Sequence, residues 1–157
     1  MEEAHRFRVV AWWASGCTGI AKSSSALSAI HFTAPPAFGG LDGRWTPEDL
    51  LLCALASCFT TTFRAVAESS KFRYTDLQVE VEGDVSKSNP GYHFSHVLIR
   101  PKLTIPREAG ETQAIALLEK TRDLCLVSRA LSVEQKFDPY VQVGQLLAQG
   151  GPSIAGF

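Results

Sequence analysis

Residues 46–59 of the chain read TPEDLLLCALASCF, and this stretch decides how the rest of the sequence is interpreted. Thr46 suits a helix cap, Pro47 suits the first helical position, and the two acidic residues that follow favour the positive end of a helix dipole. Because the next residues are apolar on nearly every face, the first half of this helix must be surrounded by protein. We therefore predict a central helix that begins at Pro47 and runs to about Ser69.

Strand patterns flank this helix on both sides. Residues 6–13 and 26–32 are rich in Val, Ile, Phe and Trp, which indicates antiparallel strands joined by short turns. After the helix, residues 74–85 alternate between apolar and polar side chains, as in a half-exposed strand. Residues 93–105 form the return strand, in which Pro101 suggests an edge position or a bulge.

A second apolar helix is predicted from about Glu108, with Cys125 near its end, and a last strand follows at residues 133–137. The order of three strands, helix, two strands, helix and strand predicts an α+β fold with a mainly antiparallel sheet and two central apolar helices. We assign residues 1–137 to one domain and residues 138–157 to a C-terminal extension.

The composition argues against several classes of protein. Lys plus Arg total 15 and Asp plus Glu total 16, a formal net charge of −1 without a basic stripe, so nucleic acid is not an expected partner. The amino terminus lacks the pattern of a signal peptide, and the most apolar stretch, residues 50–59, is shorter than a membrane span. We therefore predict a cytoplasmic protein that binds no membrane.

Four cysteines, at positions 17, 53, 58 and 125, have the most distinctive chemistry. Their spacing matches no zinc site, so we predict reduced thiols with neither a metal nor a cofactor. A helical thiol is more often a small core residue than a nucleophile, and Cys17 and Cys53 take that interpretation. Small and hydroxylated neighbours leave room for a substrate beside Cys58. A reversible disulfide with Cys125 becomes possible if the two Cα atoms approach within about 7 Å.

Three motifs together carry a resemblance to a known family: residues 46–51, residues 54–59, and the run Cys125-Leu126-Val127-Ser128. Over roughly residues 6–137 the chain resembles the OsmC/Ohr superfamily. The resemblance implies an OsmC-like fold and an intertwined homodimer with each active site at the subunit interface. It further implies an enzyme of oxidative-stress defence that reduces organic hydroperoxides.

The resemblance also assigns roles to individual residues. Cys58 is the peroxidatic thiol and forms a sulfenic acid, Cys125 condenses with that acid to give a disulfide, and an external dithiol, such as a lipoylated protein, restores both thiols. In the family, a glutamate holds an arginine beside the first thiol, and Glu48 matches that glutamate. Since Glu48 and Cys58 lie about 15 Å apart along one helix, Glu48 would reach the site of the partner subunit. Alternatively, Glu48 satisfies helix amides.

The family arginine has no counterpart at either position that the family uses, in residues 16–19 or in residues 36–40. Arg44 is the nearest substitute by position, and the alternative is an ordinary surface arginine. A second hypothesis is a catalytically silent OsmC-like dimer that binds a hydrophobic small molecule in its interface cleft. In a third, both cysteines are core residues of a structural dimer.

Overall fold

The computed structural model describes residues 4–107 and 109–144. The chain forms two compact units, Met1–Leu51 and Leu52–Phe157, and the boundary between them falls inside the long central helix. Residues 145–157 of the predicted C-terminal extension lie outside the described residues, as does Glu108, the predicted start of the second helix.

The first unit is built on a three-stranded antiparallel sheet. Its strands follow the order β1 (Val9–Ser15), β2 (Thr18–Ser23) and β3 (Ile30–Phe32). A two-residue turn joins β1 to β2, and Gly16 adopts a positive φ of 52° there, a conformation that favours glycine. Every residue of β1 is exposed, including Trp13 at 65%. Within the described chain, therefore, neither face of β1 is covered.

The central helix, α1 (Pro47–Ser69), begins and ends where the sequence predicts. The Asp49 carboxylate accepts hydrogen bonds from the N–H and the hydroxyl of Thr46 at 3.0 and 2.7 Å. In return, Thr46 Oγ1 accepts a hydrogen bond from the Asp49 N–H at 3.2 Å. This reciprocal pair satisfies two amides that the helix itself leaves without acceptors.

By length and composition, α1 is apolar enough to cross a membrane, because the apolar sequence continues beyond residues 50–59. One face of α1 nevertheless packs in the core of the second unit, and its buried residues are Leu55, Phe59, Phe63, Val66 and Ala67. The prediction that protein surrounds its first half is wrong for the single chain. Cys53, in this first half, is exposed. Cys17, in the turn between β1 and β2, is exposed as well, so the prediction that both are core residues is wrong.

The second unit contains a four-stranded mixed sheet. β4 (Asp76–Ser88) and β5 (Gly91–Ile105) form an antiparallel hairpin, and β6 (Glu134–Phe137) and β7 (Tyr140–Val143) both run parallel to β5. β4 shows the predicted alternation, with its apolar side chains packed on the core. β7 is a strand that the sequence analysis did not identify.

Pro101 lies in the central strand of this sheet, so its prediction as an edge or bulge residue is wrong. β6 pairs with β5 up to Ile99, and β7 begins to pair at Lys102. Pro101 therefore falls in the gap between two short parallel strands. A residue that has no N–H to donate is tolerated in such a gap.

The predicted second helix is divided in two. α2 (Glu111–Leu124) and the five-residue α3 (Leu126–Ala130) are separated by Cys125, whose backbone is extended with φ −61° and ψ 113°. The break allows the N–H of Val127 to bond to the sulfur of Cys58 instead of a carbonyl of α2. The α+β fold with mainly antiparallel strands and apolar helices is confirmed, whereas the homodimer stays a prediction.

Candidate active site

The structure brings together two of the four predicted site residues, Cys58 and Cys125, inside the second unit. Cys58 is partly buried on α1 beside the fully buried Phe59, and Cys125 is fully buried between α2 and α3. Both pack in the same apolar cluster, and each thiol shifts the pKa of the other. All four cysteines are free thiols.

Hydrogen-bond donors surround the sulfur of Cys58. The Val127 N–H lies 3.5 Å from Sγ, and the hydroxyl of Thr62, one turn further along α1, lies 4.0 Å from it. Burial raises the pKa of Cys58, but hydrogen bonds from Val127, Cys125, Thr62 and the Leu126 amide outweigh burial and hold this pKa below the ordinary thiol value. These donors are amides, a thiol and a hydroxyl, and none is a cation.

The pKa of Cys125 moves the opposite way. Burial, reinforced by the hydrogen bond to Cys58 and by the negative charge on Cys58, raises the pKa of Cys125 to about 11, against the amides of Ser128 and Val127. The pair therefore keeps a proton on Cys125 and forms its thiolate at Cys58. The more acidic thiol of the site is therefore Cys58, and the less acidic one is Cys125.

A glutamine that the sequence analysis missed holds the turn that carries these amides. Gln135 on β6 donates from Nε2 to the carbonyls of Ser128 (2.8 Å) and Leu131 (3.4 Å), and its Oε1 accepts a hydrogen bond from the Ser128 hydroxyl. Ser128 belongs to the motif that the sequence analysis singled out. Gln135 has no such signal, because a glutamine in a short strand ordinarily faces solvent.

The other two predicted site residues, Glu48 and Arg44, belong to the first unit. Glu48 Oε2 is buried and has no hydrogen-bond partner among the residues that the structure describes. Arg44 is exposed, and it forms no ion pair within residues 4–107 and 109–144. Within one chain, therefore, Arg44 does not neutralise Glu48.

The chemistry of the site is that of a thiol pair. In the described part of the chain, no group of three or more His, Cys, Asp or Glu side chains is placed to hold a metal ion. An α+β unit in which two neighbouring thiols have pKa values shifted in opposite directions is typical of dithiol proteins.

The family model described as OsmC-like protein matches residues 40–139, so the chain belongs to the OsmC-like family. It is 26% identical over 145 residues to the uncharacterized protein YmaD of Bacillus subtilis (strain 168), covering 89% of this chain and 97% of YmaD. Its fold matches an OsmC-like protein from Mycoplasma pneumoniae, with a TM-score of 0.76, 17% identity, and coverage of 91% of this chain and 100% of the other. It also matches an organic hydroperoxide resistance protein from Legionella pneumophila, with a TM-score of 0.72, 22% identity, and coverage of 90% and 100%. The resemblance in the sequence is thereby confirmed.

Proposed function

We propose that this protein is a cysteine-based peroxidase that reduces organic hydroperoxides through a disulfide between Cys58 and Cys125. The observation that carries the proposal is the pair of thiols packed in one apolar cluster, in which the pKa of Cys58 is lowered and the pKa of Cys125 is raised to about 11. Peroxide reduction requires a thiolate, and disulfide formation requires a second thiol within reach. Relatives of similar fold are called organic hydroperoxide resistance proteins, which supports the same chemistry.

The reaction proceeds in three balanced steps. The Cys58 thiolate attacks one peroxide oxygen, the O–O bond breaks, and an alkoxide leaves and takes a proton to become an alcohol. Cys58 is then a sulfenic acid, which condenses with the Cys125 thiol to form the disulfide and release water. An external dithiol, such as a lipoylated protein, reduces this disulfide by two exchange steps and becomes a disulfide itself.

Exposed apolar side chains beside the thiols support an organic substrate. Leu126 follows Cys125 directly and is 70% exposed, and Leu124, on the other side of Cys125, is also exposed. An alkyl or aryl group bound over these side chains loses apolar surface to water, whereas hydrogen peroxide has no such group. The proposed preference is therefore for organic hydroperoxides over hydrogen peroxide.

We also propose that the working form is a cytoplasmic homodimer. The uncovered apolar residues of β1 and the partly exposed α1 give a second copy a large apolar surface to cover. Glu48 supports the same proposal, because a buried carboxylate oxygen without a donor is unfavourable. In the dimer, Glu48 and a cation such as Arg44 would complete a site. Light scattering after gel filtration tests the proposal, and a monomer at micromolar concentration would contradict it.

A peroxidase assay tests the proposed activity directly. Wild type should consume tert-butyl or cumene hydroperoxide steadily in the presence of dithiothreitol or dihydrolipoamide, and Cys58→Ser should not. Cys53→Ser is the matched control, since Cys53 lies exposed on the same helix, and this variant should retain activity. Equal inactivity of wild type and Cys58→Ser with every dithiol would end the peroxidase proposal.

Peptide mass mapping tests the disulfide separately. One equivalent of peroxide should produce a Cys58–Cys125 disulfide in wild type, and in Cys125→Ser it should leave a sulfenic acid on Cys58 that dimedone traps. Finding both thiols free after peroxide treatment would contradict the mechanism.

The alternative, a silent dimer that binds a hydrophobic molecule, requires an unreactive Cys58, and the lowered pKa of Cys58 opposes it.

A further inference from the structure

Three consecutive threonines follow the reactive segment of α1, and their hydroxyl groups have different partners. Thr60 donates to the Ala56 carbonyl at 2.9 Å, and Thr61 donates to the Ser57 carbonyl at 3.1 Å. Such bonds to a carbonyl one turn back are usual for helical threonine. Thr62 departs from this pattern: within the described chain, its hydroxyl is paired with the sulfur of Cys58 at 4.0 Å.

The position of Thr62 suits this contact. Residues four apart lie on the same face of a helix, so Thr62 lies on the face that carries Cys58. Thr62 is partly buried, whereas Thr60 and Thr61 are exposed. Solvent therefore competes less for the Thr62 hydroxyl than for its two neighbours.

We propose that Thr62 is a further catalytic residue, whose hydroxyl donates a hydrogen bond to the Cys58 thiolate and favours the ionised form of the nucleophile. A thiolate only accepts hydrogen bonds, and an S–H group is a weak donor, so the contact with Thr62 is stronger when Cys58 is ionised. Together with the Val127 N–H on the same sulfur, Thr62 supplies stabilisation of negative charge without a cation.

The kinetic consequence rests on the proposed peroxidase function, but the ionisation itself does not. Only the thiolate attacks peroxide, so a donor that lowers the pKa of Cys58 increases the reactive fraction at each pH below that pKa. Above the pKa, the thiolate is already complete and the hydroxyl adds little to the rate. The role of Thr62 is therefore visible in a pH profile and in peroxide-free thiol chemistry.

Thr62→Val tests the proposal, because valine keeps the branched shape and removes the hydroxyl. The rate of iodoacetamide modification of Cys58, measured against pH by mass spectrometry, should show a pKa raised by about 0.5–1 unit. At pH values below the pKa, the second-order rate constant with cumene hydroperoxide should fall about 2- to 4-fold, because the greater nucleophilicity of the more basic thiolate offsets part of the lost ionisation. Above the pKa, the variant should react as fast as wild type or up to about threefold faster, because its thiolate is more basic.

Two further variants separate a chemical effect from a structural one. Thr62→Ser restores a hydroxyl and should recover the lower pKa, and Thr60→Val removes a hydroxyl that bonds only to the main chain and should leave the pKa unchanged. An unchanged pKa in Thr62→Val would overturn the role of Thr62, even if wild type proves to be a peroxidase. If wild type consumes no peroxide, the alkylation profile still decides between a raised and an unchanged pKa.

Discussion

Alkylation at neutral pH should separate the two thiols of the site, because the structure gives them opposite acidities. The pKa of Cys125 is about 11, so at pH 7 about one Cys125 in 10⁴ is a thiolate. The pKa of Cys58 lies below 9.0, so at least about one Cys58 in 10² is ionised at the same pH. Ionisation alone therefore favours reaction at Cys58 by a factor of at least about 10².

Two further effects adjust this factor. The more basic thiolate is the stronger nucleophile. A Brønsted slope of about 0.4–0.5 over the pKa difference of about 2 between 11 and 9.0 makes the Cys125 thiolate up to roughly tenfold more reactive than the Cys58 thiolate. Burial acts in the other direction, because Cys125 is fully buried whereas Cys58 is partly exposed. We expect iodoacetamide to modify Cys58 at least about tenfold faster than Cys125.

The assay uses limiting iodoacetamide at pH 7, then an isotopically heavy reagent after denaturation, and peptide masses give the modified fraction at each cysteine. Modification of Cys53, which is exposed in the single chain, is measured in the same samples to confirm that the reagent is active. In Cys58→Ser, the pKa of Cys125 should fall, because the charge of the thiolate is lost, but burial should keep it above the ordinary value. Modification of Cys125 as fast as Cys58 in wild type would refute the assignment.

Three further outcomes concern stability. Thr46→Ala should lower the free energy of unfolding by about 1 kcal/mol in urea titrations, because it removes the two hydrogen bonds between the Thr46 hydroxyl and Asp49. Phe63→Ala should lower it by about 3–5 kcal/mol, since Phe63 is fully buried and its ring lies 5.1 Å from that of Tyr74. Raising the pH from 9 to 10.5 should destabilise wild type by about 1–2 kcal/mol more than Cys125→Ala. The reason is that the Cys125 thiol ionises near 9.0 in the unfolded chain but keeps its proton up to about 11 in the folded chain. An equal loss of stability in wild type and in Cys125→Ala would contradict the raised pKa of Cys125.

The elements that the sequence predicted well are those with strong local signals. α1 combines a cap, an N-terminal proline and a long apolar run, and its observed limits match the prediction. β4 alternates cleanly, and β5 ends at Ile105, as predicted. In each case, the chain near the element determines its structure without help from distant residues.

The features that the sequence did not predict depend on distant contacts. No glycine or proline marks the break at Cys125, which accompanies the bond from Val127 to the sulfur of Cys58, 69 residues away. Gln135 gains its role only because β6 places it beside Ser128. Pro101 is tolerated in a central strand because two separate strands pair on either side of it.

The coupling between the two thiols suggests why the proposed resolving cysteine is so weakly acidic before peroxide arrives. Of the causes that raise the pKa of Cys125, burial is permanent, but the hydrogen bond to Cys58 and the charge on Cys58 depend on the thiolate. Conversion of Cys58 to a neutral sulfenic acid removes that charge, while the amides of Ser128 and Val127 continue to favour ionisation of Cys125. Oxidation of the first thiol therefore lowers the pKa of the second, although burial keeps it above the ordinary value, and the reactive fraction of Cys125 increases when its target exists.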